Sequence, residues 1–292
     1  MLKQAKANVI KGYRTSMVMN EGTAQNRILV GIPVTGDLRA EWVFARYGQV
    51  IPCNWSQNDL CQWVDSWSPM RFMVADARNL IVASAMEIQP EWLVFIDHDV
   101  ILPPLFLVTL NDYMIEKKSP LFSGLYFTKS VPSEPLVYRG RGNGYYANWK
   151  FGDKVAVDGL PMGCTAIHFS IIKILWDESP EYNVGGRITR RVFETPVRVF
   201  YDPETRSFNT QTGTEDLELC SRIIREGTLA KAGWKTIAKR PFPFLIDTTL
   251  FCWHITPNGI RYPSMGEQMR FMRKGEEVKD RWGRLLASKT AE

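Results

Sequence analysis

The chain has 292 residues, 45% of them hydrophobic and 23% charged, which is ordinary globular composition with enough apolar material for a sizeable core. Its formal net charge of +5 suits a small anionic ligand and is too weak by itself to indicate nucleic-acid binding. No fixed-period repeat and no low-complexity tract is present, which excludes repeat architectures and compositionally disordered chains.

The five cysteines, Cys53, Cys61, Cys164, Cys220 and Cys252, are odd in number and lack C-x-x-C spacing. A disulfide framework or zinc site is therefore not expected, and a reducing compartment is. The first 26 residues are polar and basic (Lys3, Lys6, Lys11, Arg14), with no acidic residue before Glu21 and no signal-peptide core. They read as a mobile extension. No apolar run reaches the roughly 20 residues of a membrane-spanning helix, so a soluble cytoplasmic protein is expected.

In chain order, Ile28–Val34 is a short apolar run rich in β-branched residues, followed by Thr35-Gly36-Asp37. It predicts a buried strand entering a loop. Residues 38–47 and 75–85 carry helical spacing, and 49–52 reads as a short second strand. Trp92–Ile96 predicts a strand buried on both faces. Pro103 and Pro104 mark the start of a helix reaching Lys118, and 121–127 is a further strand. Alternating strands and helices predict a parallel α/β sheet.

The middle of the chain reads as loop or hairpin over 138–149. It turns apolar over 165–174, then forms an irregular hairpin over 185–209 carrying Arg187, Arg190, Arg191, Arg198 and Arg206. A helix over 215–226 is closed by Gly227 at the left-handed stop position. Residues 245–255 form a last strand-like run, and 265–288 reads as a charged amphipathic helix. The expectation is one domain over 27–258, between the extension 1–26 and a helical appendage over 259–292.

Asp97 and Asp99 follow the buried run directly. Residues two apart in a strand share a side, so both carboxylates are expected to project together above the carboxyl ends of the strands, where open α/β sheets bind ligands. Adjacent carboxylates repel unless a cation joins them. Oxygen ligands suit Mg²⁺ or Mn²⁺ on a diphosphate. His98 between them reads as a spacer.

The run Phe95-Ile96-Asp97-His98-Asp99 resembles the D-x-D motif of GT-A glycosyltransferases, and the large family 2 in particular. Asp76-Ala77-Arg78-Asn79 resembles the A-R-N segment preceding that motif. Thr214-Glu215-Asp216-Leu217-Glu218-Leu219-Cys220 resembles the E-D-x-x-L-C segment that follows it. The likeness spans roughly 27–254. It implies a GT-A type, Rossmann-like, mostly parallel central sheet flanked by helices. It also implies a metal-dependent transfer of sugar from a nucleotide-sugar, UDP-sugar favoured, to an acceptor hydroxyl, with inversion.

By the same resemblance Asp99 binds Mn²⁺ or Mg²⁺, and Asp97 contacts the ribose or the metal through water. His254, late in the chain, becomes the third metal ligand. Its ordinary alternative is a core histidine beside Trp253. Asp216 is the candidate catalytic base, held ionised by the helix N-terminus. Glu215 is either a second catalytic carboxylate or part of a capping box with Thr212. Arg78 reads as a diphosphate contact or as the partner of Asp76. Pro33, Thr35 and Asp37 end the first strand where the family binds the nucleoside. Gly163 resembles the small residue beside which the donor sugar approaches the backbone. Tyr145, Tyr146, Trp149 and the arginine hairpin are candidates for the acceptor site.

The alternatives are a retaining enzyme, an enzyme that glycosylates modified phage DNA bases, and a nucleotide-sugar-binding module without activity. A nucleotidyltransferase is disfavoured, because Pro33–Asp37 holds one glycine and no lysine. The acceptor, whether glycan, protein, lipid-linked sugar or modified nucleic acid, is not legible, and neither is the oligomeric state.

Overall fold

The computed structural model describes residues 27–34, 36–56, 62–68, 70–140 and 144–264, together with 267, 271, 277–279 and 285–288. The expected extension 1–26 and Thr35 lie outside these residues.

The strands are β1 (Arg27–Ile32), β2 (Gln62–Trp67), β3 (Trp92–Ile96), β4 (Val100–Ile101), β5 (Leu121–Leu125), β6 (Lys154–Val157), β7 (Cys164–His168), β8 (Glu181–Val184), β9 (Arg187–Arg190), β10 (Val197–Asp202), β11 (Ser207–Thr212), β12 (Phe244–Phe251), β13 (Trp253–Ile255), β14 (Arg261–Tyr262), β15 (Glu277–Lys279) and β16 (Leu285–Ser288). The helices are α1 (Ala40–Tyr47), α2 (Cys53–Ser56), α3 (Val74–Ile88), α4 (Phe106–Glu116), α5 (Phe169–Glu178), α6 (Glu215–Arg225), α7 (Thr228–Lys231) and α8 (Lys235–Ala238).

A seven-stranded sheet in the order β2-β1-β3-β7-β5-β12-β6 forms the centre. Strands β2, β1, β3, β5 and β12 run in one direction, while β7 and β6 oppose their neighbours. The result is a mixed α/β fold with a largely parallel sheet, as the alternating pattern predicts.

The two-residue period of a strand divides the core. Ile28, Val30, Ile32, Trp92, Val94 and Ile96 enter one apolar cluster, with Trp42 of α1 and Phe106 and Leu110 of α4. Leu29, Leu93 and Phe95 enter the other, with Ile81 of α3, Ile171 of α5 and Leu219 of α6. All five residues of β3 are fully buried, and each contributes roughly 1.5–3 kcal/mol by leaving water. That burial fixes the strand whose end carries Asp97.

Three expectations are corrected. Residues 49–52 are not a strand; the edge strand is β2, parallel to β1. Its Asp65 pairs with the buried Arg46 of α1, and this polar residue hides the strand from a search for apolar runs. The expected hairpin over 185–209 is two separate ribbons, β8–β9 and β10–β11. The reversal between β8 and β9 falls on Gly185 and Gly186, both at positive φ. The apolar run 165–174 divides into β7 and α5 at His168, whose ring accepts from the Ser170 N–H and caps the helix. The C-terminal helix is not found among the described residues, where 277–279 and 285–288 form β15 and β16, an antiparallel pair. Gly275 and Gly283 interrupt the helical spacing of that segment.

The stop of α6 is as expected, with Gly227 at φ 66. Among the described residues no helix is long and apolar enough to cross a membrane.

Candidate functional site

The site forms where β1, β3 and β5 end. β3 stops at Ile96, and the chain turns at once: the Val100 N–H donates to the Asp97 carbonyl at 3.0 Å, and the Trp42 indole N–H donates to the same oxygen at 2.8 Å. Asp97 and Asp99 are therefore not two residues of one strand pointing the same way. The turn sends them to different partners, correcting the strand-parity expectation.

Asp97 faces α3. Arg78 Nη2 donates to its two carboxylate oxygens at 3.0 and 3.1 Å, and Arg78 Nη1 donates to Glu215 of α6. Arg78 is 2% exposed. Burial by itself would lower the pKa of its guanidinium, but Asp97, Glu215 and Asp216 outweigh that and hold it charged. The alternative partner of Arg78, Asp76, makes no ion pair with it among the described residues. Asp76 instead accepts from the Tyr182 hydroxyl at 2.7 Å, and Asn79 binds the backbone N–H and carbonyl of Phe193, both at 2.8 Å. Thus Asp76 and Asn79 tie α3 to the chain around β8 and β9, and Arg78 alone reaches the site.

Asp99 faces the other way. Lys129, just beyond β5, donates to its Oδ2, and His254 Nε2 of β13 lies 3.6 Å from its Oδ1. His254 Nδ1 is 2.8 Å from the Phe127 carbonyl, so Nδ1 carries the proton. That leaves Nε2 as the ring nitrogen facing Asp99, the orientation a metal ligand requires. Burial would raise the Asp99 pKa; His254 and then Lys129 hold it far below the usual carboxylate range. Lys129 sits on a stapled loop: the Thr128 N–H donates to the Glu134 carbonyl, and the Glu134 N–H donates to Thr128 Oγ1, both at 2.9 Å.

Tyr126 lies between the two halves. Its hydroxyl oxygen accepts from the Gly163 N–H at 2.8 Å, and its ring meets His254 edge-on at 5.4 Å. Burial, then the charges of Asp97 and Asp216, push its phenol well above the ordinary range, so it stays neutral. The space a Cβ on Gly163 would take is already filled, by the Tyr126 hydroxyl at 2.5 Å and Val100 Cγ2 at 2.9 Å. The glycine therefore admits Tyr126, where a donor sugar was expected. Gly163→Ala is expected to cost about 1–3 kcal/mol, read as a lower urea midpoint with an unchanged slope. A midpoint equal to wild type would count against the tight Gly163–Tyr126 contact.

Asp216 is half-buried in the first turn of α6, with Glu215 and Glu218 beside it. Its Oδ1 accepts from the Leu217 N–H at 2.8 Å. Its charge also acts on Tyr138, whose phenol is pushed up to about 12 first by burial and then by Asp216. The capping box is not formed: Thr214 is the N-cap, it makes no side-chain cap bond, and Glu215 turns to Arg78. Burial first raises the Glu215 carboxyl, with Arg78 opposing.

Pro33 is buried at the end of β1, and Asp37 is exposed in the following loop. Trp149, an acceptor-site candidate, is core: it stacks on Phe271 at 4.3 Å. The Tyr146 hydroxyl accepts from Arg139 at 3.1 Å. Lys129 and Tyr126 were missed by sequence reading. Their signal was available in their position just beyond the strand at 121–125, the sheet end where ligands bind.

Among the described residues no three His, Cys, Asp or Glu side chains come close enough to hold a metal ion. The chain supplies a pair, Asp99 and His254. One carboxylate and one imidazole fit Mn²⁺ or Mg²⁺ when the remaining ligands are substrate phosphate and water. Asp97, also expected at the metal, is engaged by Arg78.

No protein family matches the chain, and no curated protein does. Solved structures with a similar course include the A197 protein from STIV, at 16% identity and a TM-score of 0.48, over 80% of this chain and 88% of that one. Another is S. aureus TarS 1-349 in complex with UDP, at 12% identity and a TM-score of 0.34, over 53% of this chain and 50% of that one.

Proposed function

We propose that the chain transfers a glycosyl group from a nucleotide-sugar, UDP-sugar favoured, to an acceptor hydroxyl, with inversion. The observation that carries this reading is the pairing of two unlike clusters around Tyr126 at the strand ends: Asp99 with His254 on one side, and Asp216 with the Arg78-bound carboxylates on the other. The first cluster suits a cation and a diphosphate. The second offers a half-buried carboxylate not committed to Arg78. The motif order described above supports the same assignment.

Asp99 and His254 would hold the metal ion, which supplies neutralisation of charge on the leaving diphosphate. Asp216 takes the proton of the acceptor hydroxyl as its oxygen attacks the anomeric carbon. Asp97 fixes Arg78, and Arg78 in turn fixes Glu215, so that these two carboxylates position the guanidinium and Asp216 acts as the base. Pro33, Thr35 and Asp37 border the nucleoside, and Gly163 acts through Tyr126.

Incubation with UDP-sugars and Mn²⁺ is expected to release UDP, at a rate reduced at least about tenfold by EDTA and restored by Mn²⁺. No metal-dependent release from any UDP- or GDP-sugar would refute the reading. Binding without release would leave a nucleotide-sugar-binding module.

A further inference from the structure

The sheet end opposite Asp97 and Asp99 carries an open groove of about 620 Å³, where Ser119 leads into β5 and Pro243 into β12. β5 and β12 run parallel, and β3 shares their direction because both β3 and β5 oppose β7. Strand starts and the candidate site therefore lie on opposite sides of the molecule.

The groove is lined by Lys117, Lys154, Lys235 and Arg240, together with Trp234 and Phe242. Its single acidic lining residue, Glu116, is paired with Lys118 at 3.0 Å. Among the described residues Lys117, Lys235 and Arg240 form no ion pair, and the Lys154 ammonium lies over the Tyr113 ring at 4.8 Å. The whole chain carries a net charge of only +5, so these four cations in one groove are a local concentration. Lys117 holds φ 49 at the end of α4, its N–H donating to the Tyr113 carbonyl at 2.9 Å. This left-handed position is one a non-glycine residue seldom takes, and here it brings an ammonium to the groove wall.

The rings are held in place. The half-buried Trp234 donates its indole N–H to Ser170 Oγ at 3.2 Å and meets His168 edge-on at 5.2 Å. Arg139 covers one face of Phe242 at 4.2 Å. Several cations and held aromatic rings lining one groove suit a flexible chain of phosphates carrying planar groups. A flat bilayer cannot bring its headgroups onto the walls of a concave groove, and one free phosphate engages only part of the row.

We propose that this groove binds a single-stranded nucleic-acid segment, its phosphates on Lys117, Lys154, Lys235 and Arg240 and a base on Trp234. The proposal stands independently of the glycosyl-transfer reading. It is tested by fluorescence anisotropy of a labelled oligothymidylate of about 15 nucleotides with the full chain. Lys117→Glu/Lys235→Glu is expected to weaken binding at least about tenfold, and the wild-type log K should fall against log salt with a slope of about −3. Trp234→Leu should weaken binding by about five- to a hundredfold, with a salt slope equal to wild type. Circular dichroism confirms that the variants fold. Absence of binding, salt-independent binding, or equal affinity in wild type and the double variant would overturn the proposal. So would tighter binding to phosphatidylglycerol vesicles that is lost in the same double variant, which would make the groove a membrane contact.

Discussion

Asp216→Asn is expected to lower kcat for glycosyl transfer by about 10²- to 10⁴-fold while nucleotide affinity stays near wild type. Asn keeps the shape of the side chain and can still accept the Leu217 N–H, but it cannot take a proton near neutral pH. The helix loses at most about 1 kcal/mol of dipole interaction from one charge, and removal of a like charge beside Glu215 offsets part of that. The variant should therefore fold as wild type does, which separates lost chemistry from lost structure. Rates under saturating donor, beside a urea titration of the same preparation, decide the matter. A variant within about threefold of wild type would remove Asp216 from the role of base.

Arg78→Leu is expected to cost about 3–5 kcal/mol of stability, the usual price of breaking a buried ion pair from one side. Arg78 is 2% exposed, and its partners Asp97 and Glu215 have side chains 24% and 11% exposed. The cost is thus little relieved by water. Without the guanidinium, two partly buried carboxylates face each other and Asp216 with no counter-charge.

The pH dependence has a definite sign. Burial already raises the Glu215 pKa in the folded chain, and a raised carboxyl gives stability that is present at low pH and lost as pH rises through its folded pKa. Removing Arg78 raises it further. The deficit of the variant should be largest near about pH 7 and shrink toward about pH 5, as Glu215 takes up a proton in the folded state. Urea unfolding at the two pH values measures this. A deficit that is equal at both, or larger at the lower value, would contradict the arrangement.

Much of this architecture is legible in the amino-acid sequence because it depends on local apolar pattern. Trp92–Ile96 announces a doubly buried strand. The residues that follow it necessarily stand at a strand end, and the acidic start of α6 with its glycine stop is read as easily. What was not legible depends on where side chains go after the chain turns. The turn at His98 and Asp99 divides a motif that looks like one metal-binding unit. Arg78 has Asp76 two residues away but finds Asp97 and Glu215, because the face of α3 that meets the sheet end carries Arg78 inward. Lys129 stands in a segment with no motif and becomes part of the site only through the loop bonds of Thr128 and Glu134. β2 escaped because Asp65, satisfied by Arg46, makes a parallel edge strand look polar.

Asp99 and His254 are proposed to make a metal-dependent donor site. The most direct test is calorimetric titration of UDP into the wild type and Asp99→Ala, each with and without Mn²⁺. Mn²⁺ is predicted to tighten UDP binding to the wild type at least about tenfold, or roughly 1.4 kcal/mol, and to leave Asp99→Ala unchanged. UDP binding that ignores Mn²⁺ in the wild type, or an undiminished Mn²⁺ effect in the variant, would contradict the account.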